Sequence, residues 1–401
     1  MEIYDATIIG AGLAGLQCAR LLGRRGFRVL LVDRKGSLDH RVHTTGIFVR
    51  KTLLDFDIPE DCLGPPVRHV SLYSPSHREL SLVSKHDEFR IARMGQLYDR
   101  YLSQCLRSGV QWLPATSYLD HSDLNGKLAV RLSTSVPATP VGRDRMLPST
   151  FSVCTGYLIG ADGARSRVAQ TLGLDQNSEW IVGVEDVFTR VGIEGPPRLC
   201  CFLDPELAPG YIAWIAYDGV EAHVGVGGYP ALFDPLTALE KFQTSVGDII
   251  DLRNARQIER RGGRIPVGGV LRHIANAHGL LIGDAAGAVS PLTAGGLDPC
   301  MRLSTMAANV VAAFLETKNA KAIADYSGDL FRARFTSRLW ARRVAGNLRG
   351  RRWVELACGG LRLPLVNKFA GHVFFGRGSF PDVEMGFTRQ TCPAEVNSSL
   401  L

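Results

Sequence analysis

Apolar and polar positions along the first part of the chain switch between two periods. Residues 6–9 form a short continuous apolar run and residues 27–32 another. Between them apolar positions recur at helical spacing through Leu22, until Gly26 stops the pattern. Short apolar runs on either side of an amphipathic helix predict a βαβ unit with buried strands. Apolar runs of strand length return at 157–159 and 280–282, and residues 301–315 predict a long buried helix. A further helix is expected over residues 93–102. Asn125-Gly126 sits between extended segments, as does Asp218-Gly219 between 211–216 and 221–226, and both predict hairpins. Residues 133–150, rich in Pro, Ser and Thr, predict a surface insertion. Residues 332–352 predict a basic helical stretch, and residues 390–401 a loose tail.

The punctuation between these elements carries the chemistry. Gly10, Gly12 and Gly15 follow the first strand and, with Leu13 and Ala14, open the helix. In a G-x-G-x-x-G turn the first glycine permits the tight turn. The second lets a pyrophosphate approach the backbone, and the third lets helix and strand pack closely. The helix N-terminus then offers free N–H groups and a partial positive charge to the phosphates. Asp33, followed by Arg34, ends the second strand, where a carboxylate can accept hydrogen bonds from ribose hydroxyls. An acid in this place favours an unphosphorylated adenosine ribose, so FAD or NAD is the expected dinucleotide.

Two later segments repeat the grammar of apolar strand, acid, glycines and helix. One is Gly160-Ala-Asp162-Gly163-Ala-Arg165-Ser166. The other is Gly283-Asp284-Ala-Ala-Gly287, continuing through Pro291 to Gly295-Gly296-Leu297. Asp284 at a strand end can accept a ribityl hydroxyl. The amides of Gly295, Gly296 and Leu297 can stabilise negative charge at N1 and O2 of a reduced flavin. Taken alone, either acid is equally a turn cap. In this order the three motifs resemble the FAD-dependent superfamily of para-hydroxybenzoate-hydroxylase type. Arg93-Met-Gly-Gln-Leu97-Tyr-Asp99 is similar to that family's arginine-led segment. The resemblance covers about residues 1–320, and it implies that Arg93 contacts FAD and that Asp162 lies near the pyrophosphate.

Gly287 stands where aromatic hydroxylases usually carry His. The S-P-L-T-A-G-G-L run after it, with Gly263-Arg-Ile265-Pro266 ahead of it, is more similar to the geranylgeranyl reductases, which reduce isoprenoid double bonds. Pro209-Gly-Tyr211-Ile-Ala-Trp214 resembles that family's P-x-x-Y-x-W-x-F-P segment. It departs at Ile212, where the family has Tyr, and at Ala216-Tyr217, in place of Phe-Pro. His43, Thr44 and Thr45 stand near Gly46, where many of these reductases carry a Cys. The resemblance implies reduction of C=C bonds in an apolar, isoprenoid or lipid-like substrate by hydride from reduced flavin. NAD(P)H would be a transient reductant, because no second G-x-G-x-x-G is present. Two alternatives stay open: a flavin monooxygenase hydroxylating an aromatic or other apolar small molecule, and a non-catalytic flavoprotein. The proton donor is not readable. His43, Tyr211 and Cys300 are the candidates, the last at a helix start that would lower its pKa. Thr45, Phe202, Tyr211, Trp214 and Pro291 are expected to line the substrate pocket.

The predicted architecture is α/β. A Rossmann-like FAD-binding domain takes residues 1–66, 88–178 and 270–325. An inserted antiparallel β-sheet substrate domain takes 67–87 and 179–269, and a C-terminal basic helical segment and tail takes 326–401. Composition then narrows the surroundings. With 21% charged residues the chain is not disordered throughout. Its nine cysteines include no C-x-x-C and no zinc-spaced Cys/His cluster, so reduced thiols in the cytoplasm and no metal are expected. There is no secretory signal pattern and no apolar run of ~18 residues. The net charge of +7 is local. Residues 331–362 hold nine arginines and one acid, Glu355, a surplus larger than that of the whole chain. Nucleic acid is therefore not an expected partner. Phe331, Phe335, Leu339, Trp340, Val344 and Leu348 are interleaved with these arginines. The segment predicts an amphipathic basic helix, either peripheral on an anionic membrane or packed on the FAD domain with a solvated arginine face.

Overall fold

A computed structural model describes residues 1–40, 42–135, 148–333, 335–347, 350–361, 371, 374 and 375. The strand Ile3–Ile9 lies at the centre of a seven-stranded sheet. It pairs in parallel with Val29–Val32 on one side and with the long strand Pro148–Gly160 on the other. Gln111–Leu113 extends the sheet beyond Val29–Val32, and Gly279–Leu281 pairs in parallel with the end of Pro148–Gly160. Val29–Val32 and Gly279–Leu281 are buried at every position, as strands covered on both faces must be. The helices Leu13–Arg24 and Leu297–Thr317 pack together over this sheet, and Gln17 donates to the Thr305 hydroxyl at 3.1 Å.

The early part of Pro148–Gly160 pairs antiparallel with Lys127–Ser135, which turns back on Thr116–Leu124. The turn residues Asn125 (φ 53°) and Gly126 (φ 78°) are both left-handed. That is the geometry whose twist matches a two-residue hairpin. Residues 133–135 and 148–150, expected in a surface insertion, are instead strand ends paired with each other. Their alternation hid them behind the Ser and Thr content. The remainder of that insertion, and the tail at 390–401, lie outside the described residues.

The second sheet runs Arg256–Pro266, Trp180–Thr189, Glu221–Gly228, Ala213–Tyr217, Arg198–Phe202, His69–Tyr73, Glu79–Val83. It is not wholly antiparallel as expected, because Arg198–Phe202 and His69–Tyr73 run parallel. These two strands come from separate excursions of the chain, so no hairpin sets their relative direction. Asp218-Gly219 does form the predicted hairpin, with the Asp218 carboxylate accepting the Val220 and Glu221 N–H groups. A small third sheet, Ile47–Val49, Phe89–Ala92 and Leu63–Val67, was not predicted by the periodicity.

The helix Pro235–Ser245 covers one face of the second sheet. Asp234 caps it by accepting the Thr237 N–H at 2.8 Å, and Pro235 sits at its first turn. Strand alternation sends Phe202 to this side, against Tyr73 (ring centroids 4.6 Å apart) and Phe242 (4.9 Å). Phe202 is therefore core and not the pocket wall that was expected. Its neighbours Leu199 and Cys201 point the other way, into the cavity.

The basic segment is three helices, Gly328–Ala333, Thr336–Asn347 and Arg351–Leu361, rather than one. Several of its arginines face inward. Arg332 donates to the Gly268 and Val270 carbonyls, and Arg342 to that of Pro291. Glu355 accepts the hydroxyls of Ser74 and Ser76. Trp340, Trp353 and Leu356 face outward instead. Loop carbonyls without strand partners draw these guanidiniums in, which breaks the simple apolar-in, arginine-out pattern, although Phe331 and Phe335 stay buried and Arg343 and Arg352 exposed.

Truncating Phe202 to Ala should lower the unfolding free energy by about 3–5 kcal/mol, because a buried aromatic is lost from an enclosed core. The midpoint of urea denaturation checks this. A shift under ~1 kcal/mol would place Phe202 outside the core.

Candidate flavin site and apolar cavity

Three backbone segments meet beyond the ends of the central parallel strands. Gly10 is left-handed (φ 106°), and a Cβ there would overlap the Ala161 carbonyl. A Cβ on Gly15 would overlap the Gly10 carbonyl. Gly12 has nothing within 4 Å of its Cβ position. The first and third glycines are thus required by packing, and the second leaves space open at the N-terminus of Leu13–Arg24. That helix start has no side-chain cap. Asp33 accepts the Ala11 N–H at 2.7 Å and the Lys35 N–H at 2.8 Å, so it braces the glycine turn from the neighbouring strand. Arg34 beside it is exposed.

Asp162 accepts the Ser166 hydroxyl (2.6 Å) and the N–H groups of Arg167 (2.7 Å) and Val168 (3.1 Å). It accepts the first two N–H groups of the helix Arg167–Thr171, whose N-cap is Ser166, and its amide nitrogen lies 3.0 Å from the Cβ position of Gly10. Asn177 ties this motif to the later one by donating to the carbonyls of Ala164 and Asp284. The Asp284 carboxylate differs from Asp162: among the described residues it has no hydrogen-bond donor. Surrounding protein pushes its pKa up to about 6. A half-buried acid without a donor, beside open backbone at Gly12, fits the hydroxyl-rich chain and pyrophosphate of FAD. Gly283 packs against Ala14 of the first helix and positions this acid.

The loop from Ser290 closes on itself, Ser290 N–H to the Gly295 carbonyl at 3.0 Å, and delivers Gly295 and Gly296 to the start of Leu297–Thr317. Its residues line a cavity of about 1030 Å³. The second sheet, residues 43–51 and the helices Thr336–Asn347 and Arg351–Leu361 form the other walls. Most of the lining is apolar, including Ile47, Leu72, Phe89, Leu199, Ile212 and Ile265. Tyr211 donates its hydroxyl to the Thr293 carbonyl at 2.7 Å and meets Trp214 edge-on. Burial and the nearby Cys201 push the Tyr211 pKa up, so it keeps its proton. His43 lines the same space with Nδ1 2.9 Å from the Gly262 carbonyl, and burial lowers its pKa.

Glu185 is the buried anion of this wall. It accepts the Thr45 hydroxyl at 2.6 Å and the Trp214 indole N–H at 3.1 Å, with His223 at 3.4 Å and Arg261 at 3.8 Å. Burial raises its pKa, but His223, Thr45 and Arg261 outweigh that and hold the carboxyl below its usual range. It orients two pocket residues, Thr45 and Trp214, which donate to the same carboxylate oxygen.

Of the residues singled out from sequence, His43, Thr45, Tyr211, Trp214, Gly295, Gly296 and Leu297 line this cavity. Pro291 does not: it is buried behind the loop with its carbonyl taken by Arg342. Cys300 is not an activated thiol. Burial, with Asp284 nearby, pushes its pKa up and outweighs the helix start. Arg93 sits between Asp218 (2.8 Å) and Glu221 (3.1 Å), tying its helix to the second sheet. Sequence reasoning missed Glu185, Arg261, Arg338 and Arg342. For Glu185 a signal existed: an acid inside the apolar run at 181–188.

Comparisons with known proteins agree with this geometry. Residues 8–46 match the model of an NAD(P)-binding Rossmann-like domain. The chain is 24% identical to the digeranylgeranylglycerophospholipid reductase of Methanococcus vannielii, over 79% of each chain. In fold it is similar to a geranylgeranyl bacteriochlorophyll reductase-like protein from Thermoplasma acidophilum, with a TM-score of 0.80 and 18% identity over 94% of this chain and 98% of the other. It is also similar to aklavinone-11 hydroxylase, solved with FAD and aklavinone, with a TM-score of 0.65 and 20% identity over 86% and 70%. The motif resemblance to geranylgeranyl reductases therefore holds across the fold.

Two outcomes test the cofactor site. Gly12→Val should abolish FAD retention while leaving the far-ultraviolet circular dichroism intact. Asp284→Ala should weaken FAD by about 1–3 kcal/mol, measured by flavin fluorescence on dilution. The raised pKa of Asp284 sets a sign as well. Its folded value of about 6 lies above its ordinary 3.8, so flavin-free protein loses stability as pH rises between them. Flavin-free Asp284→Asn should melt above flavin-free wild type at pH 7, and the gap should close below about pH 4.

Proposed function

We propose that this FAD-dependent oxidoreductase, similar to the geranylgeranyl reductases, reduces carbon–carbon double bonds of an apolar isoprenoid or lipid-like substrate. The observation that carries the reading is one junction. A large, mostly apolar cavity opens directly onto the amides of Gly295, Gly296 and Leu297, at a helix N-terminus. Gly12, Asp33, Asp284 and those amides would hold the FAD, which supplies hydride to one carbon of the double bond. The helix start favours negative charge beside it. The apolar walls keep water from the reacting carbons, while Glu185 holds Thr45 and Trp214 in place. His43 and Tyr211 are the proton-donor candidates that the cavity retains.

NAD(P)H is the proposed transient reductant. In support, the Rossmann-like match falls on the glycine turn already assigned to FAD, which leaves the nicotinamide cofactor to visit from solution. A cytoplasmic, membrane-peripheral setting follows from the same reading. Among the described residues no helix is long and apolar enough to cross a membrane. Trp340, Trp353 and Leu356, each about two-thirds exposed, lie on the same helices as the exposed Arg343 and Arg352. Basic residues near an anionic bilayer contribute ~1 kcal/mol each, and Trp anchors at its interface.

Protein reduced under argon and then mixed with a polyprenyl substrate should reoxidise its flavin and yield a product two hydrogens heavier. A flavin that stays reduced until air is admitted, with product gaining an oxygen atom, would establish the monooxygenase alternative instead. Co-sedimentation with anionic but not neutral liposomes, lost in Trp340→Ala/Trp353→Ala, tests the membrane setting.

A further inference from the structure

Strand alternation gathers ionisable side chains on one face of the second sheet. Glu221 and His223 stand two apart on Glu221–Gly228. His223 is paired with Val187 of the next strand, and Glu185 stands two places before Val187, so Glu185 shares the face with His223. Gly225, the next position of that row, leaves the room: a Cβ there would overlap the Trp214 ring and the Glu185 Cβ. His223 is 1% exposed, with Nδ1 3.4 Å from Glu185 Oε1 and Nε2 3.9 Å from Glu221 Oε2. Nε2 is buried and has no hydrogen-bond partner. Glu221, 17% exposed, is the end of the row nearer to solvent. At the other end the Thr45 hydroxyl donates to Glu185 Oε2 at 2.6 Å and lines the cavity. Arg93 lies between Asp218 and Glu221, and Arg261 between Glu259 and Glu185. Two guanidiniums thus face four acids around His223, and a proton on the His223–Glu185 pair offsets part of the excess. The arginines alone suffice to tie the sheet to the flavin side. A buried imidazole with an unused nitrogen adds a cost to that tie and no strength.

We infer that His223 and Glu185 relay protons from solvent to the Thr45 hydroxyl, which delivers them to the double bond. The inference rests on the reductase reading above and adds to it where the proton comes from. One carbon of the double bond takes the flavin's hydride with its electron pair, and the flavin is left oxidised. The other carbon takes the Thr45 hydroxyl proton as Oγ1 accepts one from Glu185. Glu185 is resupplied at Oε1 by His223 Nδ1, and a half-turn of the carboxyl about its last bond, a soft torsion, brings that proton round to Thr45. His223 recovers a proton from solvent at Nε2 by way of Glu221. One hydride and one proton enter the substrate per turnover, and the protein ends unchanged. Tyr211 lacks such a supply, because its hydroxyl meets the Thr293 carbonyl, which has no proton to return.

Protein reduced under argon and mixed with geranylgeraniol reports the transfer as flavin reoxidation. In wild type the rate should fall along a bowed line, not a straight one, as heavy water replaces light water, because more than one proton is in flight. Glu185→Gln keeps the shape and still accepts from Thr45, yet carries no proton. It should slow reoxidation about a hundredfold, the size of a lost general acid. Thr45→Val should do the same, and Thr45→Ser should keep most of the rate. The wild-type rate should fall with rising pH, and His223→Gln should be slow and lose that dependence. If His223→Gln does not fold, the bowed line in wild type and Glu185→Gln carry the test. Geranylgeraniol binding to oxidised protein, measured by calorimetry, should be unchanged in Glu185→Gln, whereas a purely structural carboxylate would weaken binding along with the rate. A straight line in wild type, which assigns the proton to a single donor such as His43, a wild-type rate in Glu185→Gln or Thr45→Val, or a slow rate matched by lost binding would each overturn the relay. If wild type reoxidises along a straight line, the relay fails and the reductase reading stands. If geranylgeraniol leaves wild-type flavin reduced, both fail.

Discussion

The close approach of three backbones at Gly10, Gly15 and Ala161 is the constraint on which the rest depends. At two of these positions even one extra methyl group would strike a carbonyl, so the first strand, the first helix and the long Pro148–Gly160 strand can be no nearer. That contact sets the direction of Leu13–Arg24. The direction in turn decides where the open space at Gly12 lies and on which side Leu297–Thr317 can pack. A side chain removed here does more than any side chain added elsewhere. It brings a helix start within reach of a bound phosphate while the parallel strands stay fully buried.

The second sheet is then fastened to this frame by a few polar ties. Tyr211 reaches the Thr293 carbonyl, Glu185 reaches Thr45, and Arg93 reaches Asp218 and Glu221. Each links a residue of the flavin side to one of the sheet; those of Glu185 and Arg93 are wholly or partly buried, that of Tyr211 is exposed. Buried ion pairs add little net stability compared with apolar packing, but breaking one side of them is costly. Their contribution is alignment: they hold an apolar wall at a fixed distance from the flavin-facing loop.

Elements whose reasons are local were legible in the sequence. The glycine turn, the two later acid–glycine motifs and the Asn125-Gly126 hairpin each follow from φ preferences or helix-start chemistry within a few residues. What depended on distant partners was not legible. Phe202 was misplaced because alternation assigns a face, but the sequence does not say which face a helix will cover. The parallel pairing of Arg198–Phe202 arises between segments over a hundred residues apart. Cys300 was misjudged because a helix start lowers a thiol pKa only where burial does not dominate. The inward-facing arginines were hidden for a related reason. Their partners are loop carbonyls, which have no signature in the amino-acid order.

The half-buried Asp284 carboxylate, without a donor among the described residues, has a consequence outside chemistry. Ligands that bind only the folded state stabilise it by mass action. A flavin hydroxyl that met this acid, as the proposed site has it, would add to that effect and make the cofactor a structural component of the fold. Flavin-free chain would then be the form more open to unfolding and to proteolysis.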